Sequence, residues 1–192
     1  MNFIKFLPLN ESHFPLLLKW LETPHVKQWW DQDIKWTEES IKNRYKNYTQ
    51  GYKILNLKDA ITIKKPIYAF IIEFDGIPIG YIQYYNKHDF PSHHGYDSST
   101  LLQSCAGVDW YIGELNYTGK GIGPQVLECF LKDFVLKDFE SVFVDPEIDN
   151  LNAIKVYEKV GFTKIKEVDE VIWMILSRMV GPAGFEPATT PL

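Results

Sequence analysis

The residues Thr118-Gly119-Lys120-Gly121-Ile122-Gly123 lie between a strand-like run and a long apolar-periodic segment. Their three glycines would expose consecutive backbone N–H groups at a helix N-terminus, where orphan amides and the helix dipole favour a phosphate or pyrophosphate. The turn lacks the Gly-Lys-Ser/Thr ending of a P-loop and the complete dinucleotide fingerprint, which disfavours ATP and NAD. Taken alone it can also be read as a tight strand-to-helix turn that holds no ligand. The later segment 149–162, DNLNAIKVYEKVGF, reads as a helix with Asn150 as N-cap. Ala153, Ile154, Tyr157 and Val160 share one face of it, and Gly161 stops it. Just before the glycine turn, Asp109 interrupts an otherwise apolar strand, a costly place for a carboxylate without a role.

At their separation, the two segments resemble the acyl-coenzyme A site of the GNAT superfamily of N-acyltransferases. The family pattern is Gln/Arg-x-x-Gly-x-Gly/Ala, then Asn-x-x-Ala-x-x-x-Tyr-x-x-x-Gly-Phe. Thr118 stands at the Gln/Arg position, a departure, while the second motif matches throughout. The segments QWWDQD, GIPIGYIQYY, GVDWYIGE, TGKGIG and DPEIDNLNAIKVYEKVGF follow one another with the spacing of the aminoglycoside 6'-N-acetyltransferases. That likeness covers residues 1–178, and the N-acyltransferases of siderophore assembly share much of it. It implies the mixed α/β GNAT fold and direct acetyl transfer from acetyl-CoA to a primary amine in a ternary complex, with no metal. The implied cofactor residues are Trp110, Tyr111, Ile112, Thr118, Gly119, Lys120, Gly121, Ile122, Gly123, Asn150, Ala153 and Tyr157.

A protonated amine has no lone pair with which to attack a thioester, so a carboxylate must bind the ammonium and take its proton, directly or through water. The resemblance puts Asp109 in this role; without it, Asp109 reads as a hydrogen-bonded structural carboxylate. Glu114 is the alternative base, or else a solvated charge at the strand end. Collapse of the tetrahedral intermediate releases a thiolate that needs a proton donor. Tyr157 is at the family's position for it, although a tyrosine at helical spacing otherwise reads as core. The backbone N–H of Trp110 or Tyr111 would polarise the thioester carbonyl. An aminoglycoside or other small polycationic amine calls for an acidic, partly aromatic acceptor end, which Trp29, Trp30 and Asp31 would supply from one loop. Tyr81, Asp97, Asp145, Asp169 and Glu170 are further expected contacts, with Asp145-Pro146 also readable as a turn. The enzyme rival is a siderophore-type or other small-amine N-acyltransferase, and the non-enzyme rival a CoA-binding sensor domain.

The elements that must hold these residues follow from periodicity. Strand-like runs at 3–9, 67–74, 77–85, 106–113, 140–145, 162–168 and 171–178 alternate with a helix capped by Asn10 or Ser12 and stopped by Thr23-Pro24, and with helices at 37–51, 121–138 and 150–160. The order βααβββαβαββ implies helices layered on a mixed sheet. Asp75-Gly76 signals a tight hairpin, and 86–104 reads as a functional loop. The 192 residues, 45% hydrophobic and 15% aromatic, suit a single domain over 1–179, with a disordered tail at 180–192. A net charge of −5 argues against a nucleic-acid partner and for a cationic one. Cys105 and Cys129 sit in apolar runs and read as buried hydrophobes. No run approaches the ~20 apolar residues of a membrane span, and no leader is evident, which points to the cytoplasm. Either a monomer or a homodimer is expected.

Overall fold

The computed structural model describes residues 3–56, 61–90 and 101–178. Strand β1 (Ile4–Pro8) leads into three helices, α1 (Phe14–Leu21), α2 (Pro24–Lys27) and α3 (Glu38–Tyr45). A separate hairpin follows, β2 (Tyr52–Asn56) and β3 (Thr62–Pro66), then strands β4 (Tyr68–Phe74), β5 (Ile77–Asn86) and β6 (Cys105–Ile112). Helix α4 (Ile122–Phe130), β7 (Ser141–Val144), α5 (Leu151–Val160), β8 (Thr163–Val168) and β9 (Val171–Ser177) complete the described chain. Seven strands form one sheet in the order β1-β4-β5-β6-β7-β9-β8. All neighbours are antiparallel except β6 and β7.

Because successive strand residues point to opposite faces, β5 and β6 feed two separate cores. Ile82, Tyr84, Ala106 and Val108 pack with Ile122, Val126 and Phe130 of α4 and with Ile154 and Tyr157 of α5. Tyr81 and Tyr111 face the other way, onto Leu17, Trp20 and Leu21 of α1 and Ile41 and Tyr45 of α3. The same alternation decides where the chemistry of β6 can go, since Asp109 shares parity with Tyr111 and Trp110 with Val108.

Register creates an opening in the sheet. Parallel pairing of β6 with β7 is confined to Cys105–Gly107 against Ser141–Phe143, although β6 runs on to Ile112. Residues 108–112 therefore continue without a β7 partner, and the two strands diverge towards the start of α4. The local signals at this opening behave as their residue types demand. Gly119 and Gly121 adopt φ of 69° and 74°, the left-handed region that glycine enters without steric cost. Asn150 caps α5 by accepting a hydrogen bond from the Ala153 N–H at 3.1 Å, and Gly161 ends that helix at φ 105°.

The mixed α/β architecture agrees with the sequence reading, and the Asp75-Gly76 hairpin forms with φ of 50° and 81°. Four details differ, the first being the short extra helix α2 (Pro24–Lys27) between the two helices expected there. The β2–β3 hairpin was not anticipated, because its lysine-rich alternation (YKILN and TIKKP) carries too few apolar residues to stand out. The expected helix over 37–51 ends as α-helix at Tyr45 and resumes as a 3-10 turn, Tyr48–Gln50, before left-handed Gly51. The expected helix over 121–138 is α-helical only to Phe130 and passes into a π-helical turn, Leu131–Val135. Among the described residues no helix is long and apolar enough to cross a membrane. The expected tail at 180–192 lies outside the described residues.

Candidate active site

The divergence of β6 from β7 opens into a cleft of about 1110 Å³. That volume slightly exceeds the ~300–1,000 Å³ usual for one drug-sized ligand. One end is built from the strand-to-helix turn: Thr118, Gly119, Gly121 and Gly123 line it, with Ala153 and Val156 of α5 facing them. Leu115, Tyr117 and the lysines Lys155 and Lys159 also belong to the lining, the two lysines sharing a helix face by their four-residue spacing. The Thr118 hydroxyl is committed to the turn, donating to the Leu115 carbonyl at 2.8 Å. An anion at this end would therefore meet backbone amides and nearby lysines rather than this hydroxyl.

The other end is acidic and aromatic. Asp109, Asp145, Glu147 and Glu170 line it together with Trp29 and Trp30. Trp30 stands edge-on to Tyr111, with ring centroids 5.0 Å apart, and to Tyr81 at 6.2 Å. His25 holds the end of β6 through a ring nitrogen 3.1 Å from the Ile112 carbonyl oxygen. Gln32 donates to Glu147 across the mouth at 3.2 Å. His25, Gln28, Gln32, Glu147, Lys155 and Lys159 were not identified from sequence. The first three flank the tryptophan pair in the chain and Glu147 follows Asp145-Pro146, so proximity in sequence was the available signal.

Asp109 accepts a hydrogen bond from Gln83 Nε2 at 2.8 Å, the residue directly opposite it on β5. Tyr157, almost fully buried at 7% exposure, lines the same region from α5. Burial pushes its hydroxyl pKa well up, the charges of Asp109 and Asp145 push the same way, and Trp110 alone opposes them. The Trp110 indole N–H is buried near it without a well-formed hydrogen bond. Tyr157 therefore stays a protonated donor over the whole neutral range. A cation that sequence reading left out also feels this carboxylate: Lys53 of β2. Burial lowers its ammonium pKa, Arg44 adds to the effect, and Asp109 and Asp31 oppose it.

Trp110, Tyr111, Ile112 and Asn150 are lining residues of the cleft. Several others are placed elsewhere. Lys120 and Ile122 border a small neighbouring depression with Phe74 and Gln125, and Ile122 belongs to the core at 6% exposure. Glu114 does not line the cleft. Its carboxylate accepts hydrogen bonds from Lys19 Nζ at 2.5 Å and Trp20 Nε1 at 2.8 Å, and these hold its pKa below the usual range. Glu114 anchors α1 to the end of β6, a role incompatible with a free base. Gly113 beside it admits the Trp20 indole so closely that a Cβ would sit 2.1 Å from Cγ. Tyr81 is fully buried and donates to Gln83, so it cannot contact an acceptor directly. Asp31 turns away into an ion pair with Arg44 at 3.5 Å, its backbone left-handed at φ 49°. Asp169 occupies the exposed left-handed position of the β8–β9 turn, outside the lining, while its neighbour Glu170 reaches it. Asp97 lies outside the described residues. Burial raises both cysteine thiols, Cys105 and Cys129, which leaves them poor nucleophiles. No cluster of three His, Cys, Asp or Glu side chains suited to a metal occurs among the described residues.

Comparison with known proteins converges on one family. The family model for an acetyltransferase (GNAT) domain matches residues 10–170. An aminoglycoside N(6')-acetyltransferase type 1 of Klebsiella pneumoniae is 24% identical over 159 residues, covering 81% of this chain and 72% of that protein. The crystal structure of aminoglycoside acetyltransferase AAC(6')-Ib in complex with coenzyme A and kanamycin superposes with a TM-score of 0.73 at 22% identity, over 92% of this chain and 95% of that one. A spermidine N-acetyltransferase from Vibrio cholerae, in complex with CoA and spermine, has the same fold at a TM-score of 0.65 and 13% identity, over 91% and 95% of the two chains. With the glycine turn, the diverging strands and a family match across most of its length, the chain belongs to the GNAT acetyltransferase family.

Proposed function

We propose that this protein transfers an acetyl group from acetyl-CoA to the 6'-amine of an aminoglycoside. The observation that carries the reading is the continuity of one cleft. It joins an amide-rich turn at the start of α4 to an end lined by Asp109, Asp145, Glu147, Glu170 and two indoles. The turn suits a pyrophosphate, and the stretch of β6 that lacks a β7 partner suits an extended pantetheine arm laid along that open edge. Four carboxylates and the faces of Trp29 and Trp30 suit a ligand with several ammonium groups on sugar rings.

The reaction balances with the groups present. Asp109 takes a proton from the bound ammonium, and the freed nitrogen lone pair attacks the thioester carbon. The C–N bond forms, the carbonyl oxygen becomes an oxyanion near the β6 amides, and the nitrogen sheds its second proton. The C–S bond then breaks, and Tyr157 protonates the departing thiolate. The proton shed by nitrogen restores the Tyr157 hydroxyl, and the one held by Asp109 leaves to solvent. The acetylated drug has lost a positive charge and with it part of its attraction to RNA phosphates, which confers resistance on the cell.

A thiol-release assay with acetyl-CoA tests the reading. The acceptors are a kanamycin-like 6'-amine, its 6'-hydroxyl counterpart, spermidine and a lysine derivative. Turnover of the 6'-amine and none of the hydroxyl compound is expected. Turnover confined to spermidine or the lysine derivative would refute the aminoglycoside assignment while leaving amine acetylation standing.

A further inference from the structure

Behind Asp109 lies a polar chain inside an otherwise apolar core. Tyr81 donates its hydroxyl to Gln83 Oε1 at 2.6 Å, and Gln83 donates Nε2 to Asp109 Oδ2 at 2.8 Å. Tyr81 is fully buried and Gln83 only 8% exposed, and neither lines the cleft. A buried glutamine amide is a costly thing to place in a core unless both its ends are satisfied. Here they are, and in one sense only. The carboxylate accepts, so the amide must turn its N–H to Asp109, and its oxygen then needs a donor on the far side. Tyr81 meets that need, because burial keeps its hydroxyl protonated. Its own ring is fixed by stacking on Tyr111, with centroids 5.7 Å apart, and by Tyr45 edge-on at 5.7 Å.

We infer that Tyr81 and Gln83 are positioning residues that fix the rotamer of the Asp109 carboxylate from behind. They engage Oδ2 and leave Oδ1, which accepts no hydrogen bond among the described residues, to meet the incoming ammonium. Without the pair, the carboxyl group can rotate about its Cβ–Cγ bond and the productive alignment is shared among several orientations. Such alignment counts heavily in catalysis, where misplacement of a base by about 1 Å costs on the order of 100-fold. The inference rests on Asp109 acting as the base for the amine. The other groups electrostatically coupled to Asp109 are Tyr48 beside α3, Lys53 of β2 and Tyr157 of α5, with Arg44 and Asp31 acting on Lys53 in turn. Neither Gln83→Met nor Tyr81→Phe adds or removes a charge among them.

The experiment compares Gln83→Met and Tyr81→Phe, alone and in the Asp109→Asn background, in the full chain. Gln83→Met should lower kcat roughly 10- to 100-fold, the scale of a charge-assisted hydrogen bond lost from an occluded site. The loss should fall on kcat, with KM for the amine acceptor changed by less than about threefold, because alignment in the transition state and not ground-state binding is lost. Tyr81→Phe should act in the same direction with a smaller change. CoA binding, measured calorimetrically, should stay within about twofold, and neither variant should slow an enzyme that already carries Asp109→Asn. An unchanged kcat in folded Gln83→Met, a loss that appears in KM alone, or a further loss in the Asp109→Asn background, would overturn the inference. Full activity of Asp109→Asn by itself would instead overturn the assignment of Asp109 as the base, so the two failures are distinguishable.

Discussion

Replacing Gly121 by alanine isolates the backbone contribution of the glycine turn proposed to hold the pyrophosphate. Gly121 is the N-cap of α4 at φ 74° and ψ 10°, and a Cβ built there would meet nothing within 4 Å. The entire cost is thus conformational: an L-residue held left-handed loses ~1–2 kcal/mol. Alanine recovers about 0.4–1 kcal/mol by restricting the unfolded chain, so the net loss is about 1 kcal/mol. For a protein of this size that lowers Tm by roughly 2–4 °C. Binding adds a second effect, because a turn that relaxes out of the left-handed region swings its N–H groups away from the phosphate position. Thermal melts of the wild type, Gly121→Ala and Gly121→Asn, with and without CoA, separate the two. The alanine variant should melt lower and gain less from CoA. The asparagine variant, tolerant of this conformation, should recover most of both. An alanine variant that melts with the wild type and gains as much from CoA would refute the argument that the left-handed turn is required.

Two further outcomes follow from the same geometry. Glu114→Gln should leave turnover close to that of the wild type, because the side chain is held by Lys19 and Trp20 outside the cleft. Its stability effect should depend on pH. The folded carboxylate titrates below its ordinary 4.5, so its contribution is complete above that value and lost as pH falls through the depressed one. The variant should therefore be less stable at neutral pH and converge on the wild type in acid, as read by denaturant melts across pH. A large loss of turnover with unchanged stability would restore Glu114 as a base. Tyr157→Phe should reduce kcat by about 100-fold or more, the usual contribution of a positioned acid, with CoA affinity preserved. A normal rate in a steady-state assay would assign the leaving-group proton to solvent instead.

What could be read from the chain was local. The glycine turn, the Asn150 cap, the Gly161 stop and the Asp75-Gly76 hairpin depend on a few consecutive residues, and each formed as its backbone preferences require. Asp109 was conspicuous because an acid in an apolar strand is costly wherever that strand goes. Alternation also told which residues share a face of β6. What it could not tell was which face met which helices, and this depends on register. Glu114 carries the same charge as Asp109, yet Lys19 and Trp20, 95 and 94 residues away, claim it, and only packing brings them there. Asp31, adjacent to two tryptophans, was drawn off by Arg44. Tyr81 was an expected ligand contact, and the pairing of β5 with β6 instead placed it behind the carboxylate. The opening itself is a tertiary decision: three residue pairs join β6 to β7 before the strands part. Short-range preferences operate within a turn of chain and are written in composition. Partners across a sheet are chosen by register and burial, which no single segment contains.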